Sequence, residues 1–215
     1  TNFIDSVVKI KEIMEYSVSD LVNNSSQRIY ILESPFKEEL KFKTPAAGKS
    51  GVIMSIEIYD SDIPLGILLQ DSAKKAGVLN SCQFPLDQNA YEKIPAVLKS
   101  YFGIKQIAFE SRNSYKEAIK LHLMENDPLD IIGHLQIRLW DYIKYGPVKE
   151  VVVCGIIAQV FFEIAVFRGA FKDIDDIIED FEMNKWKQCS IIGQKFRVLY
   201  TTHPSPNSGK KWIIE

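Results

Sequence analysis

Hydrophobic and polar positions alternate along this chain in two rhythms, one of helical period and one of short unbroken apolar runs. Ile4, Val7, Val8, Ile10, Met14, Val18, Leu21 and Val22 recur at close to 3.6-residue spacing and predict an amphipathic helix that stops at Asn23-Asn24-Ser25-Ser26. Arg28 to Glu33 contains the apolar run Ile29-Tyr30-Ile31-Leu32, which predicts a buried strand ended by Ser34-Pro35. A loop from Lys37 to Gly51 follows, and Val52 to Tyr59 returns to a helical pattern. Gly77 to Cys82 predicts a second strand, closed by turn formers at Pro85, Asp87 and Asn89. Helices are predicted over Tyr91 to Tyr101, Ser114 to Met124 and Pro128 to Tyr145, the last behind an Asn126-Asp127-Pro128 start signal. Val151-Val152-Val153-Cys154 predicts a third strand, and Gly155 opens a helix from Ile156 to Phe167. An acidic helix over Asp173 to Lys187 and a fourth strand over Phe196 to Thr201 complete the series.

Strands and helices in alternation predict an α/β fold, a three-layer α/β/α arrangement around a mostly parallel four-stranded sheet. No internal repeat, low-complexity tract or linker divides residues 1 to 215, so one domain is expected. In such a fold ligands bind beyond the carboxyl ends of the strands, and the unusual loops of this chain all follow strands.

Composition narrows the choice of partners. With 46% hydrophobic and 11% aromatic residues, a chain of 215 residues can bury a substantial core. No apolar run reaches the roughly 18 to 20 residues of a membrane span, and no signal-peptide pattern opens the chain, which leads to the expectation of a cytoplasmic protein without a membrane partner. Cys82, Cys154 and Cys189 are an odd number at wide spacings, a pattern that supports neither a disulfide framework nor a metal site. The net charge of −2 makes the molecule as a whole no attractor of phosphate. Positive charge is instead local: Lys37, Lys41, Lys43 and Lys49 in one loop region, with Glu38 and Glu39 among them, and Lys210 and Lys211 in another. On charge alone these are solvated lysines; brought onto one face they would track a nucleic-acid backbone.

Gly48-Lys49-Ser50 resembles the end of a phosphate-binding loop, but that motif requires glycine at position 43, where Lys43 stands, so a nucleotide triphosphatase is disfavoured. Three other residues terminate strands. Glu33 reads either as a loop-facing charge or as a carboxylate in a partly desolvated crevice. Asn80 reads as an amide that ties its loop to the backbone or reads a base edge. His203, ahead of the rigid Pro204-Ser205-Pro206, is a surface histidine or a donor to a developing anion. Together they fall where an alternating fold would let them converge.

Phe196 to Ser208, with Thr201-Thr202-His203-Pro204-Ser205-Pro206-Asn207 at its centre, closely resembles the His-Pro-Ser-Pro segment that ends a strand in uracil-DNA glycosylases. Val151 to Gln159 looks like that superfamily's strand, glycine and helix start. Leu32-Glu33-Ser34-Pro35, Glu38-Glu39 and Thr44-Pro45-Ala46-Ala47-Gly48-Lys49-Ser50-Gly51 are similar to the first motif of its thermostable branch, a Gly-Glu-Ala-Pro followed by Pro-Phe-Val-Gly-Arg-Ser-Gly. Val78 to Cys82 resembles the strand that delivers the uracil-reading asparagine. Four blocks therefore match in order between about residue 30 and residue 209, whereas residues 90 to 145 carry no resemblance.

The resemblance implies excision of uracil or a related deaminated base from DNA after the nucleotide is flipped out, as in base-excision repair, by a monomer without metal or organic cofactor. It makes Glu33 the residue that positions water or stabilises the cationic sugar, and His203 the donor to the departing base. Ser34, Pro35, Ala46 and Asn80 would line the base site, Asn80 hydrogen-bonding the uracil edge, and Ser205 would contact a phosphate. Lys49, Ser50, Pro206, Asn207 and Lys210 would meet the DNA strand. Four departures qualify it. Ala46 replaces the phenylalanine that stacks on uracil, leaving Phe36, Phe42 or Phe84 as substitutes; Ser34 stands where the best-known branch has its water-activating aspartate. Asn207 stands where that branch has an intercalating leucine, and the cluster-binding cysteines of the thermostable branch are missing. A non-catalytic nucleic-acid-binding protein with the same fold is the alternative.

Overall fold

The computed structural model describes residues 13–71, 73–110, 115–167, 183–191, 193–205 and 212. Four parallel strands form the centre of the sheet: β1 (Arg28–Leu32), β2 (Ala76–Asn80), β3 (Glu150–Cys154) and, after the edge strand β4 (Trp186–Ile191), β5 (Gln194–Thr201). The order is β2-β1-β3-β5-β4, with β4 antiparallel to β5 and all other neighbours parallel. The chain leaves β1 for β2 on one side and then crosses to β3 on the other, so the strand order reverses between β1 and β3. A crevice opens at such a reversal, beyond the carboxyl ends of the strands.

Strand composition explains the layers. Successive strand side chains point to opposite faces, and here both sets are apolar, as in a sheet buried on both sides. Ile29, Ile31, Val151, Val153, Val198 and Tyr200 join one core, shared with α4 (Gly103–Glu110), α5 (Tyr115–Glu125), α6 (Ile131–Trp140) and α7 (Ile156–Phe167). Tyr30, Leu32, Val78, Val152, Cys154 and Leu199 join the other, packed on Met54 of α2 (Lys49–Tyr59) and Leu65 of α3 (Leu65–Leu68). Helices thus flank both faces, as the alternation predicts.

The sheet has five strands, not the expected four. Of the helix expected over Asp173 to Lys187, Trp186 and Lys187 belong to β4, and residues 173–182 lie outside the described residues. An edge strand needs only one apolar face, and the pairing of buried Cys189 with Phe196 supplies it from a hairpin partner. Within the expected N-terminal helix, the part that is described ends early: Leu21 pairs with Val78 along the edge of β2. Of the expected Tyr91–Tyr101 helix only Ala96–Tyr101 is helical, as a 3-10 helix that starts after Pro95, whose ring and missing N–H break a longer helix there. The expected loop from Lys37 contains α1 (Lys37–Phe42), none of whose side chains is buried, so no apolar periodicity announces it. No described helix is long and apolar enough to cross a membrane.

Candidate functional site

The loops after β1, β2 and β5 are fixed by backbone contacts before any functional side chain is considered. Ser81 Oγ and the Cys82 amide both donate to the Glu33 carbonyl, at 2.6 and 3.1 Å, so the exit of β1 is fastened to the exit of β2. Arg138 of α6 donates to the carbonyls of Asn80 and Ser81, each at 3.0 Å, and to the carboxylate of Asp20 at 2.7 Å. Burial raises the Asp20 carboxyl above its ordinary range in spite of the Arg138 charge beside it. Nothing in the sequence reading pointed to Arg138, whose partners lie far away along the chain.

His203 is set by Gly155. The glycine has φ +90, and a Cβ there would stand 3.0 Å from the Cβ of His203, so a residue without a side chain lets the β5 loop close over the start of α7. The Gly155 amide donates to the Thr201 carbonyl at 2.8 Å, Gln159 Nε2 to the same carbonyl at 3.1 Å, and Trp212 Nε1 to the Thr202 carbonyl at 3.0 Å. The histidine ring makes no hydrogen bond among the described residues. Burial pushes its pKa below the usual value, Glu33 acts to raise it and Lys105 to lower it. A neutral ring results, able to donate without carrying charge.

Glu33 and His203 line one cavity of about 540 Å³ together with Ser34, Pro35, Ala46, Lys49, Ser50 and Ser205. Eight of the sequence-derived site residues therefore meet at the strand ends. Pro206, Asn207 and Lys210 lie outside the described residues. Ser34 Oγ already accepts a hydrogen bond from the Leu86 amide at 3.3 Å, which ties its loop to the one after β2. Lys49 and Ser50 occupy the first turn of α2 and line the cavity together with Gly48, the helix start, which has no side-chain cap. Helix α1 separates this loop from β1, which removes the strand-loop-helix geometry of a phosphate-binding loop.

Asn80 is not on the cavity wall. Its side chain is buried, with Nδ2 3.5 Å from Glu39 Oε1 and Oδ1 without a partner. Glu39, which does line the cavity, stands in front of it. Oε1 of Glu39 accepts the Ala46 amide at 2.7 Å and Oε2 accepts the Phe36 amide at 2.9 Å; burial nevertheless raises the carboxyl above its ordinary range. This carboxylate fixes the turn at Ala46, a non-glycine residue at φ 53. Gly51 grips the same turn, since a Cβ there would fall 1.8 Å from the Ala46 carbonyl oxygen. The aromatic substitutes also separate. Phe36 lines the cavity and is exposed, Phe42 is exposed outside it, and Phe84 is buried against Tyr101.

No family model matches the chain, and no curated protein matches it.

One charged lining residue comes from the helical middle, where no motif was found. Lys105 on α4 places Nζ 3.0 Å from Glu33 Oε1 and 3.9 Å from Asp87 Oδ2. Helical periodicity marks which face of α4 is buried, and a lysine on its rim carries no signal of its partner. The assembled site is a carboxylate held by an ammonium on one side, a neutral histidine on the other and a buried amide behind Glu39. Such a set can stabilise a cation, hold a water and donate to an anion. No group of three or more His, Cys, Asp or Glu among the described residues is arranged to hold a metal ion.

Proposed function

We propose that this protein is a DNA base glycosylase of the uracil-DNA glycosylase superfamily, hydrolysing the N-glycosidic bond of uracil or a related deaminated base after the nucleotide is flipped out. The observation that carries the proposal is that Glu33 and His203, each at the end of a different parallel strand, line the same cavity at the point where strand order reverses. Glu33 stabilises the cationic sugar or orients the attacking water. His203, neutral because of its burial, donates to the base oxygen that gains negative charge. Asn80, off the cavity wall behind Glu39, makes no contact with the base in this reading. Phe36 supplies a ring at the cavity mouth on which a base can stack, in the absence of a ring at Ala46.

Incubation with single-stranded and duplex oligonucleotides carrying one uracil, followed by alkaline cleavage of abasic sites, tests the proposal. Strand scission at the uracil is expected; intact DNA at high protein concentration, beside an active control glycosylase, overturns it.

The second reading, a non-catalytic nucleic-acid-binding protein, is favoured by Ala46, because the inner wall of the cavity lacks a stacking ring. Single-stranded DNA binding that persists in Glu33→Ala, with no cleavage by the native protein, selects it.

A further inference from the structure

We propose that Lys105 is a positioning residue that holds the Glu33 carboxylate by one oxygen, an assignment that rests on the glycosylase reading above. The backbone of Glu33 is fixed by Ser81 and Cys82, but those contacts leave the rotatable bonds of its side chain free. Among the described residues the ion pair from Lys105 Nζ to Oε1, at 3.0 Å, is what restrains the carboxylate. The lysine sits on α4 beside Ile104, which anchors the helix by being fully buried in the core, and Asp87 Oδ2 lies 3.9 Å from the same ammonium. The pair is half-buried, with side-chain exposures of 33% for Lys105 and 19% for Glu33, where screening by water is weaker than at an open surface.

Holding Oε1 leaves Oε2 without a hydrogen bond or ion pair among the described residues, and that is the oxygen available to a water or to the sugar. Catalytic groups have to stay within about 0.5 Å of their productive position, and roughly 1 Å of misplacement costs about a hundredfold in rate. A carboxylate released from Lys105 would spread over several rotamers. The same ammonium acts on His203 in the sense opposite to Glu33, so both charges reach the histidine side of the cavity.

The test has a kinetic arm and an arm independent of activity. In single-turnover excision of uracil from single-stranded DNA, Lys105→Met is expected to slow the reaction about tenfold to a hundredfold while binding to an uncleavable analogue and the melting temperature stay near native. Lys105→Cys treated with 2-bromoethylamine regains an ammonium of nearly lysine length, and should recover most of the lost rate; the native cysteines Cys82, Cys154 and Cys189 are buried and shielded from the reagent. In the second arm the His203 ring is titrated by proton NMR, with Glu38, Glu39 and Lys49 as the other charged groups lining its cavity. Lys105→Met should raise the His203 midpoint and Glu33→Gln should lower it. Native excision by Lys105→Met, a loss wholly explained by weaker DNA binding, or a His203 midpoint that moves the same way in both variants overturns the assignment. If the native protein releases no uracil, the glycosylase reading fails, while opposite NMR shifts still place the Lys105 and Glu33 charges against the His203 ring.

Discussion

Glu150 and Glu33 sit at opposite ends of the parallel strands, each facing basic side chains, and they are finished in different ways. At the amino ends, Glu150 opens β3 between Arg28 of β1 and Arg197 of β5. Arg28 Nε donates to Oε2 at 2.6 Å, Arg197 pairs with Oε1, and both guanidinium groups rest on the ring of Trp186, at 5.5 and 4.8 Å. Burial acts to raise the Glu150 pKa, but the bonds from Arg197 and Arg28 outweigh it and hold the carboxyl below its ordinary value. Both oxygens are used. At the carboxyl ends, Glu33 has one oxygen taken by Lys105, His203 has no hydrogen bond among the described residues, and Asn80 keeps a buried oxygen unanswered. A closed set of partners stabilises; an open set has hydrogen-bonding capacity left over.

This contrast predicts where substitutions act. Glu33→Gln should lower single-turnover excision of uracil by about a hundredfold or more and leave the melting temperature nearly unchanged. His203→Ala should cost about 10² to 10³ in the same assay through the lost donor. A variant that keeps native rates at either position breaks the assignment of the open end. Gly155→Ala forces a Cβ against His203 at φ +90, so it should destabilise the fold by about 1 to 3 kcal/mol and also reduce excision, measured by urea unfolding and by the glycosylase assay. Glu150→Gln should cost no more than about 1 kcal/mol of stability and leave excision untouched.

Acid should separate the two ends. Since burial holds the folded His203 below its usual 6.5, the unfolded chain takes up that proton first, and stability falls as pH drops from about 6.5 through the folded value. Glu150 is depressed, so its contribution is present above the ordinary 4.5 and is lost as pH falls through its lower folded value. Urea unfolding across pH should therefore lose its upper step in His203→Gln and its lower step in Glu150→Gln; loss of both steps in one variant contradicts the separation.

Much of the site was readable because it depends on strand ends. Apolar runs such as Ile29 to Leu32 and Val151 to Cys154 announce strands, and parallel pairing forces their carboxyl ends to one edge, so the convergence of Glu33 and His203 follows from the pattern. The hairpin partner β4 was missed because its stabilisation comes from β5 and not from its own pattern.

The sequence by itself thus determined the alternation of elements, the strand-end loops and the residues they carry, because those follow from local periodicity and turn chemistry. Only the tertiary structure decided that Lys105 reaches Glu33, that Glu39 stands between Asn80 and the cavity, that Arg138 supports the Asn80 loop, and that Phe36 is the ring at the mouth. Each of these is a contact between segments distant along the chain, and its partner is chosen by how the helices pack on the sheet, which the pattern within either segment does not contain.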